Sequence, residues 1–352
     1  MVETILSYLP KRKKGQQLKI CDLTCGGGGH SEAMLMHYVK EGKRNKEEYK
    51  EGQAKEGQDS TGEVTVYGVD QDEESGKQTR ERLGKFMEGV EGVKFMGINK
   101  NFGDLNCQDF QGSQVDFVLG DLGVSSHQID LPSRGFSYSH ELTSSPLDMR
   151  MSSSLPLTAA DICNEWSEEV IRKVLVELGD EDWRVAGKIA GSIVERRPLK
   201  TTGDLVDAIN NVVPKWSKKS PRKGALKTTS RAFQALRVAV NDEVGVLERL
   251  FEKVLPEITK SGGTVAVLTY QSMEDRVTKQ AFTQHYESNG GIRKVRKESI
   301  EKDLWGNDVV EGEKVWDVVN RGGEKARKEE VEVNSRARSA RLRVAKRGKR
   351  LE

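Results

Sequence analysis

Apolar residues along the chain cluster in short runs, and amphipathic stretches separate these runs. The runs are rich in β-branched and aliphatic residues, which is typical of strands buried on both faces of a sheet. Helical spacing lies between several of them, as at Ser31–Val39 and Asp72–Phe86. The alternation predicts an α/β fold with a parallel sheet and right-handed crossovers. The five predicted strands are Leu18–Leu23, Val64–Val69, Val93–Ile98, Val115–Leu119 and Thr264–Thr269.

The middle of the chain has a different pattern. From Pro132 to about Thr229 strand signals are absent, and apolar residues recur with helical spacing instead. One helix is predicted to start near Trp166, and two more cover Asp182–Arg196 and Thr202–Val213. The sequence therefore predicts an all-helical subdomain inserted after the fourth strand.

These patterns set the predicted domain boundaries. The α/β pattern resumes at Arg231–Leu255, which has the spacing of one long amphipathic helix. We predict a discontinuous α/β domain of residues 1–131 and 230–352, with the helical domain at 132–229. The stretch 41–62 is nearly free of apolar residues, which predicts a flexible charged insertion after the first helix.

The overall charge says little about partners, but its distribution says more. The formal net charge of the 352 residues is only +2. Asn334–Arg350 holds eight Lys and Arg residues and no acid. Arg alternates there with small or apolar residues, which predicts a strand with one basic face and leaves further charge for a polyanion or for solvent. Lys215–Lys227 is a second basic segment, predicted to be a loop.

Cysteine usage and hydropathy exclude two classes of protein. Cys21 and Cys25 lie four residues apart, but no second close Cys/His pair completes a zinc site, so no metal is expected. Scattered cysteines indicate free thiols in a reducing compartment. No apolar run reaches the roughly 18 residues of a membrane span, so no membrane partner is expected.

The stretch DLTCGGGGHS follows the first strand and opens a helix. Glycines in this context let a ligand approach the backbone at the positive end of a helix. Ser31 stands where a dinucleotide fingerprint has its third glycine, so the loop suits either a nucleotide-type ligand or a tight turn. Asp70 ends the second strand, where it could bind a ribose diol or cap the following helix.

Two further strand ends carry candidate side chains. Phe102 follows the third strand and could cover an adenine face or lie in the core. Asp121 follows the fourth, where it could bind a ligand or cap a turn, and Ser125, Ser126 and Gln128 add hydrogen-bonding groups. An acceptor at Asp121 would suit methyl transfer to an exocyclic amine, because it could accept that amine's N–H bonds.

A series of motifs covers almost the whole chain. They are DLTCGGGGHS, YGVDQD, NFGDL, DLGVSSHQID, RGFSY, PLDMRM, LTAADICNEWSEE, RAFQALRVAVNDE and NSRARSARLRVAKR. In this order they resemble the motifs of one known family, the bacterial-type 16S (small-subunit) ribosomal RNA cytosine-N4 methyltransferases. The resemblance implies a class I S-adenosylmethionine-dependent methyltransferase fold, Rossmann-like, whose inserted helical domain recognises substrate. It implies S-adenosyl-L-methionine as donor and a decoding-centre cytosine as target.

The resemblance also assigns residues position by position. It implies that Asp121 is the catalytic residue nearest the target amine, acting either on the donor's ammonium or on the cytosine N4. The cofactor-binding residues that it implies are Gly28, Gly29, His30, Asp70, Phe102, Asp121 and Gln128.

Two departures leave alternatives open. The family usually reads SFHSLEDR where this chain reads TYQSMEDR, so Gln271 replaces a histidine. That change favours the alternative of a catalytically weakened rRNA-binding ribosome-assembly factor. A nicotinamide-dependent dehydrogenase is the other alternative, disfavoured by Ser31 and by DLGVSS. His127 replaces a usual proline, which is expected to loosen its loop.

Partners and location follow from the resemblance. Small-subunit rRNA, or the assembling small subunit, is the expected partner, and the protein is expected to be a monomer or a homodimer. The location would be cytoplasmic in a bacterium. A short start compared with the family, and the insertion at 41–62, favour a mitochondrion or plastid in a eukaryote.

Overall fold

The computed structural model describes most of the chain in two compact units. One unit comprises Met1–Gly123 and Leu247–Glu352, and the other comprises Val124–Val246. The described residues are 1–13, 15–50, 62–125, 128–129, 131–139, 143–212, 221–286, 292–294, 301–302, 308–309 and 313–348.

All five predicted strands are present, each within a few residues of its predicted bounds. Seven shorter or later strands follow them in the described chain. In chain order the twelve strands are β1 Leu18–Asp22, β2 Val64–Asp70, β3 Val93–Asn99, β4 Val115–Asp121, β5 Thr259–Thr269, β6 Gln284–Tyr286, β7 Ile292–Lys294, β8 Glu301–Lys302, β9 Asp308–Val309, β10 Trp316–Val318, β11 Glu324–Lys325 and β12 Arg341–Arg347.

The main sheet has the order β10-β12-β5-β4-β1-β2-β3, with β11 paired to β12. Strands β1 to β5 pair in parallel, and β12 runs antiparallel between β5 and β10. All five residues of β1 are buried, as expected for the central strand of a sheet that is covered on both faces. The strand order reverses between β1 and β4, which is the point where open α/β sheets bind ligands.

Helices flank the sheet and build the second unit. The predicted helices after Trp166 and at Asp182–Arg196 and Thr202–Val213 are confirmed to within about two residues. The described α-helices are α1 Val2–Leu6, α2 Gly29–Lys50, α3 Glu73–Phe86, α4 Ala159–Glu165, α5 Glu168–Glu177, α6 Trp183–Glu195, α7 Thr202–Val212, α8 Pro221–Val240, α9 Glu243–Arg249, α10 Leu255–Ile258, α11 Ser272–Ala281 and α12 Lys328–Val333.

Helix α2 corrects part of the predicted insertion. The helix continues to Lys50, so residues 41–50 are helical and not an irregular insertion. The reason is local, because the Lys and Glu residues of this stretch are good helix formers although they offer no apolar face. Residues 51–61 of the predicted insertion lie outside the described residues.

The predicted long helix at Arg231–Leu255 is also corrected. Helix α8 starts ten residues earlier, at Pro221, and ends at Val240, so residues 221–227 of the predicted basic loop are helical. Asp242 has a left-handed φ of 47°, and α9 begins directly after it. The break is anchored by the buried side chain of Asn241, which donates to the Met149 carbonyl at 2.8 Å and accepts from the Met151 amide at 2.7 Å. Residues 215–220 lie outside the described residues.

The helical unit is wider than the predicted 132–229, since it runs from Val124 to Val246. The cause is the second half of α8, whose apolar residues Ala232, Phe233 and Leu236 belong to the core of the helical unit. The role of this unit in substrate recognition stays a prediction.

The basic C-terminal segment is only partly the strand that the alternation predicted. Residues 341–347 form β12, whereas Ser335–Ser339 form a 3₁₀ turn. Arg343 is buried, and its guanidinium donates two hydrogen bonds to Asp275, at 2.7 and 3.0 Å. Burial alone would raise the pKa of Asp275, but these charge-assisted bonds outweigh it and lower the pKa. Arg343 therefore links β12 to α11 and has a structural role. It does not contribute to an exposed basic face.

We expect Arg343→Met to lower the free energy of unfolding by about 1.5–3 kcal/mol, because it removes two hydrogen bonds to a charged group inside the fold. Arg341→Met is the matched control. Its guanidinium lies 3.7 Å from Asp275 and its side chain is 34% exposed, so less than about 1 kcal/mol is expected. Urea-induced unfolding measures both. Equal and small losses of unfolding free energy in both variants would contradict this structural role of Arg343.

Candidate functional site

The glycine-rich loop joins β1 to α2 in a conformation that requires glycine. Gly28 has a φ of +81°, and a Cβ built on it would lie 2.7 Å from Thr79 Cγ2 and 2.8 Å from an Arg82 guanidinium nitrogen. Gly26 also has a positive φ, of 48°. The loop is therefore a tight turn packed against α3. A tight turn was one of the two sequence interpretations of this loop, and it leaves ligand binding possible.

Helix α3 binds the carbonyl side of this loop. The Thr79 hydroxyl donates to the Gly26 carbonyl at 2.6 Å, and Arg82 donates to the Gly27 carbonyl at 2.7 Å. A Cβ built on Gly27 or Gly29 would meet nothing within 4 Å. The first N–H groups of α2 have no partner within the helix, so this open side suits a ligand that approaches the backbone.

Asp22 lies beneath the loop and was missed by the sequence interpretation. It is completely buried, and it accepts from the Ser31 hydroxyl at 2.7 Å and from the Thr24 amide at 3.2 Å. Burial raises the pKa of Asp22, while His30 and Ser31 act in the opposite direction. The sequence feature that could have identified Asp22 is its position at the end of the first strand, as the first residue of DLTCGGGGHS.

Asp121 ends β4, the neighbour of β1. The Thr24 hydroxyl accepts from its backbone amide at 2.7 Å, which ties the ends of the two strands together. His30 Nδ1 lies 3.4 Å from Asp121 Oδ2. Oδ1 is buried and accepts no hydrogen bond from the described residues. Burial raises the pKa of Asp121, and His30 and the Tyr270 hydroxyl oppose that shift.

Asp70 ends β2, on the other side of β1. Its Oδ1 accepts from the Asp72 amide at 2.9 Å. Burial raises its pKa to about 6, although the hydrogen bonds from the amides of Asp72 and Gly26 act to lower it. The helix-capping role that was its alternative belongs to Asp72, which accepts from the Ser75 amide at the start of α3. Asp72 is therefore the cap of α3, and the ligand-binding role of Asp70 stays a prediction.

Phe102 begins a three-residue 3₁₀ turn after β3, and its side chain is only half-buried. Asn101 holds this turn, because its side chain accepts from the Gly103 amide at 2.8 Å and donates to the Gln71 side chain at 2.7 Å. The second bond links the segment after β3 to the segment after β2. The structure therefore does not place Phe102 in the core.

Gln128 belongs to the helical unit. Its side chain is buried and accepts from the Ser125 amide at 3.1 Å, while the Ser125 hydroxyl accepts from the Gln128 amide. Its part in cofactor binding stays a prediction. Ser126 and His127 lie outside the described residues.

The segment that carries the departure at Gln271 lies between β5 and α11. Glu274 is almost completely buried and accepts from the amides of Tyr270 and Gln271, at 2.8 and 3.1 Å, so it fixes the start of α11. Tyr270, which stands beside Asp121, was not singled out by the sequence. Burial raises its pKa, and the neighbouring Asp121 carboxylate raises it further.

The site is thus an edge of the sheet with three carboxylates on adjacent strands, Asp70 on β2, Asp22 on β1 and Asp121 on β4. These carboxylates accept hydrogen bonds, and they suit an adenosine-containing ligand whose other end is cationic or rich in N–H groups. A carboxylate at the end of β2 suits a ribose diol, and Oδ1 of Asp121, which has no hydrogen-bond partner among the described residues, suits an N–H donor. In the described part of the chain, no group of three His, Cys, Asp or Glu side chains could hold a metal ion. Its helices include none that is long and apolar enough to cross a membrane.

The parallel sheet, with antiparallel β12 beside β5 and a nucleoside-type site at the β1–β4 reversal, is that of a class I S-adenosylmethionine-dependent methyltransferase. Residues 50–348 match the model of the MraW methylase family. The chain belongs to this family. It is a methyltransferase, and S-adenosylmethionine is its methyl donor.

Curated relatives span most of the chain. A protein of Symbiobacterium thermophilum is 40% identical over 74% of this chain and 72% of its own length. A Nostoc protein is 33% identical over 97% of this chain and 90% of its own length. A Synechocystis protein is 35% identical over 92% and 85%. All three carry the name ribosomal RNA small subunit methyltransferase H.

The two neighbouring glycines provide a test that separates folding from binding. Gly28→Ala is expected to destabilise the protein by about 1–3 kcal/mol, because it combines a positive φ with a contact at 2.7 Å. Gly29→Ala has open space in the protein, so its unfolding should match the parent while its affinity for S-adenosylmethionine falls. Thermal unfolding and calorimetric titration measure the two effects. Unchanged affinity in Gly29→Ala would remove Gly29 from the binding surface.

Proposed function

We propose that this enzyme methylates the exocyclic N4 amine of a decoding-centre cytosine in small-subunit rRNA. Methylation of small-subunit rRNA is supported by the shared name of the three relatives. The N4 position is supported by one observation above others, the buried Oδ1 of Asp121, which has no hydrogen-bond partner among the described residues. This oxygen lies at the end of β4, at the edge where the sheet binds ligands.

The chemistry of an exocyclic amine explains why such an oxygen is useful. The nitrogen lone pair is delocalised into the ring, and an acceptor for its N–H helps the nitrogen to pyramidalise toward an incoming methyl group. S-adenosylmethionine supplies that methyl as an electrophilic sulfonium substituent. The N–C bond would form as the C–S bond breaks, the C–S electron pair would stay on sulfur, and the methylated amine would release one proton to water. Asp121 fixes the amine and stabilises its developing positive charge, which are positioning and electrostatic contributions.

Other residues have proposed binding roles. Asp70 would accept from the ribose hydroxyls, and Phe102 would cover the adenine. Gly28 and Gly29 would present backbone at the methionine end, together with His30. The cofactor-binding role of Gln128 rests only on the family resemblance, so it has the least support of these roles. Asp121 has a competing role in which it holds the donor's ammonium and not the cytosine amine.

One observation favours a second candidate, a catalytically weakened assembly factor that binds rRNA. Gln271 stands where the family usually has a histidine, and an amide cannot titrate as an imidazole does. Against this candidate, the glycine loop, Asp70 and Asp121 of the family's motifs are all present in this chain. Whether the partner is naked RNA or an assembling subunit, whether the protein is a monomer or a homodimer, and whether it acts in the cytoplasm or an organelle stay predictions. The three relatives are bacterial.

The experiment uses the full chain, labelled S-adenosylmethionine and unmethylated small subunits, with naked small-subunit rRNA in a parallel reaction. Label is expected on the N4 of one cytosine, mapped by nuclease digestion and mass spectrometry. Label on another base or ring atom would overturn the N4 assignment. Cofactor binding with no incorporation into either substrate would favour the assembly factor.

A further inference from the structure

His30 was proposed above only as a contact of the methyl donor, but it also contacts a side chain of the protein, that of Asp121. It lies in the first turn of α2, and its Nδ1 is 3.4 Å from Oδ2 of Asp121. The two side chains are similarly accessible, with exposed fractions of 23% and 25%. A catalytic contact that is somewhat long in the free protein commonly shortens when substrate is bound.

The contacts of Asp121 leave its Oδ1 available. Its backbone amide donates to the Thr24 hydroxyl, and His30 Nδ1 lies 3.4 Å from its Oδ2. The Tyr270 hydroxyl is near enough to favour the charged carboxylate. Oδ1 is buried and accepts no hydrogen bond from the described residues. A hydrogen bond from His30 to Oδ2 would fix the rotation of the carboxylate and so the direction of Oδ1.

We propose that His30 is a positioning residue for methyl transfer, whose Nδ1–H donates to Asp121 Oδ2 and so aims Oδ1 at the target amine. This inference rests on the proposed function and adds a role that binding of the donor does not require. The proton on Nδ1 stays with the imidazole throughout. Asp121 acts on the amine, and His30 acts only through Asp121.

The surroundings of Asp121 set the direction of the pH effect. Burial and the buried Asp22 carboxylate disfavour its charge, whereas His30, the Tyr270 hydroxyl and the amino group of Met1 favour it. Glu274 also approaches this region, since its Oε1 lies 3.9 Å from a Cβ built on Gly123. Loss of His30 removes the largest of the favourable influences, so the carboxylate would stay protonated up to a higher pH. The acid limb of the rate profile should therefore move to higher pH.

The test compares four variants in transfer to small subunits. His30→Ala is expected to lower kcat about 10- to 100-fold with a smaller change in KM for the donor, and to shift the acid limb upward. His30→Asn should recover much of kcat, because its amide N–H occupies roughly the place of Nδ1–H. His30→Gln, whose amide reaches the place of Nε2, should not. His37→Ala is the matched control on the same helix, and it should keep the kcat and pH profile of the parent.

The outcomes separate this inference from the proposed function. Absence of N4 methylation by the parent protein overturns the proposed function. If the parent methylates N4 and His30→Ala changes only KM or the affinity for the donor, His30 is a donor contact and the positioning role is overturned. Equal recovery by Asn and Gln would also overturn it, since the proposal depends on a donor at the Nδ1 position.

Discussion

Asp121→Asn is expected to lower methyl transfer by about 10²–10⁴-fold while the protein stays folded. The amide keeps the shape of the carboxylate, and the bond from the backbone amide to Thr24 does not involve the side chain. Burial disfavours the charge on Asp121, so the neutral replacement removes that desolvation cost. Single-turnover transfer, donor titration and thermal unfolding measure the three properties.

This variant also separates the two roles proposed for Asp121. Lost turnover with retained donor affinity supports contact with the cytosine amine. Lost donor affinity supports contact with the donor's ammonium. Asp317→Asn, at an exposed position on edge strand β10, is the matched control and should behave as the parent. Near-parental turnover in Asp121→Asn would exclude Asp121 from the mechanism.

Binding of S-adenosylmethionine is expected to weaken as the pH falls through about 6, the pKa of Asp70 in the free protein. Above that pH the carboxylate can accept from both ribose hydroxyls, and below it one oxygen carries a proton. Asp70→Asn should bind about 10- to 100-fold more weakly at pH 8, since hydrogen bonds to a charged group are lost. Its affinity should also vary less between pH 5 and 8. Calorimetric titration across this range provides the measurement, and a parallel pH dependence in both proteins would contradict the role of Asp70.

The raised pKa of Asp70 also predicts how the stability of the fold changes with pH. Its folded-state pKa is raised to about 6 from an ordinary value of 3.8. Its contribution to stability is therefore fully present below about pH 4 and is lost as the pH rises through 6. A ligand that binds the charged form reverses this loss. The stabilisation by S-adenosylmethionine in thermal unfolding should accordingly be larger at pH 8 than at pH 5.

Sequence reasoning succeeded where the pattern is local. Buried parallel strands require continuous apolar runs, so all five central strands were predicted, and the acids at their ends followed from sheet geometry. The positions of Asp70 and Asp121 at strand ends were predicted in this way, and the capping alternative for Asp70 was resolved only by the structure, in which Asp72 caps α3.

It failed where partners lie far apart along the chain. The Arg343–Asp275 pair joins residues 68 positions apart, and an Arg-rich alternation looks the same whether it faces solvent or a buried carboxylate. Asn241 likewise breaks a helix by binding backbone 90 and 92 residues away. Asp22 was missed for a related reason, because its complete burial under the glycine loop is not visible in one sequence.

The position of β12 has a consequence for how the protein is made. Among the described strands of the main sheet, β10 hydrogen-bonds only to β12, and β12 in turn covers β5. Residues 316–318 therefore cannot join the sheet until residues 341–347 have been synthesised and have left the ribosome. Until then β5 presents an unpaired edge, which is the kind of edge that promotes aggregation. The nascent enzyme is thus vulnerable to misassembly until residues 341–347 have emerged.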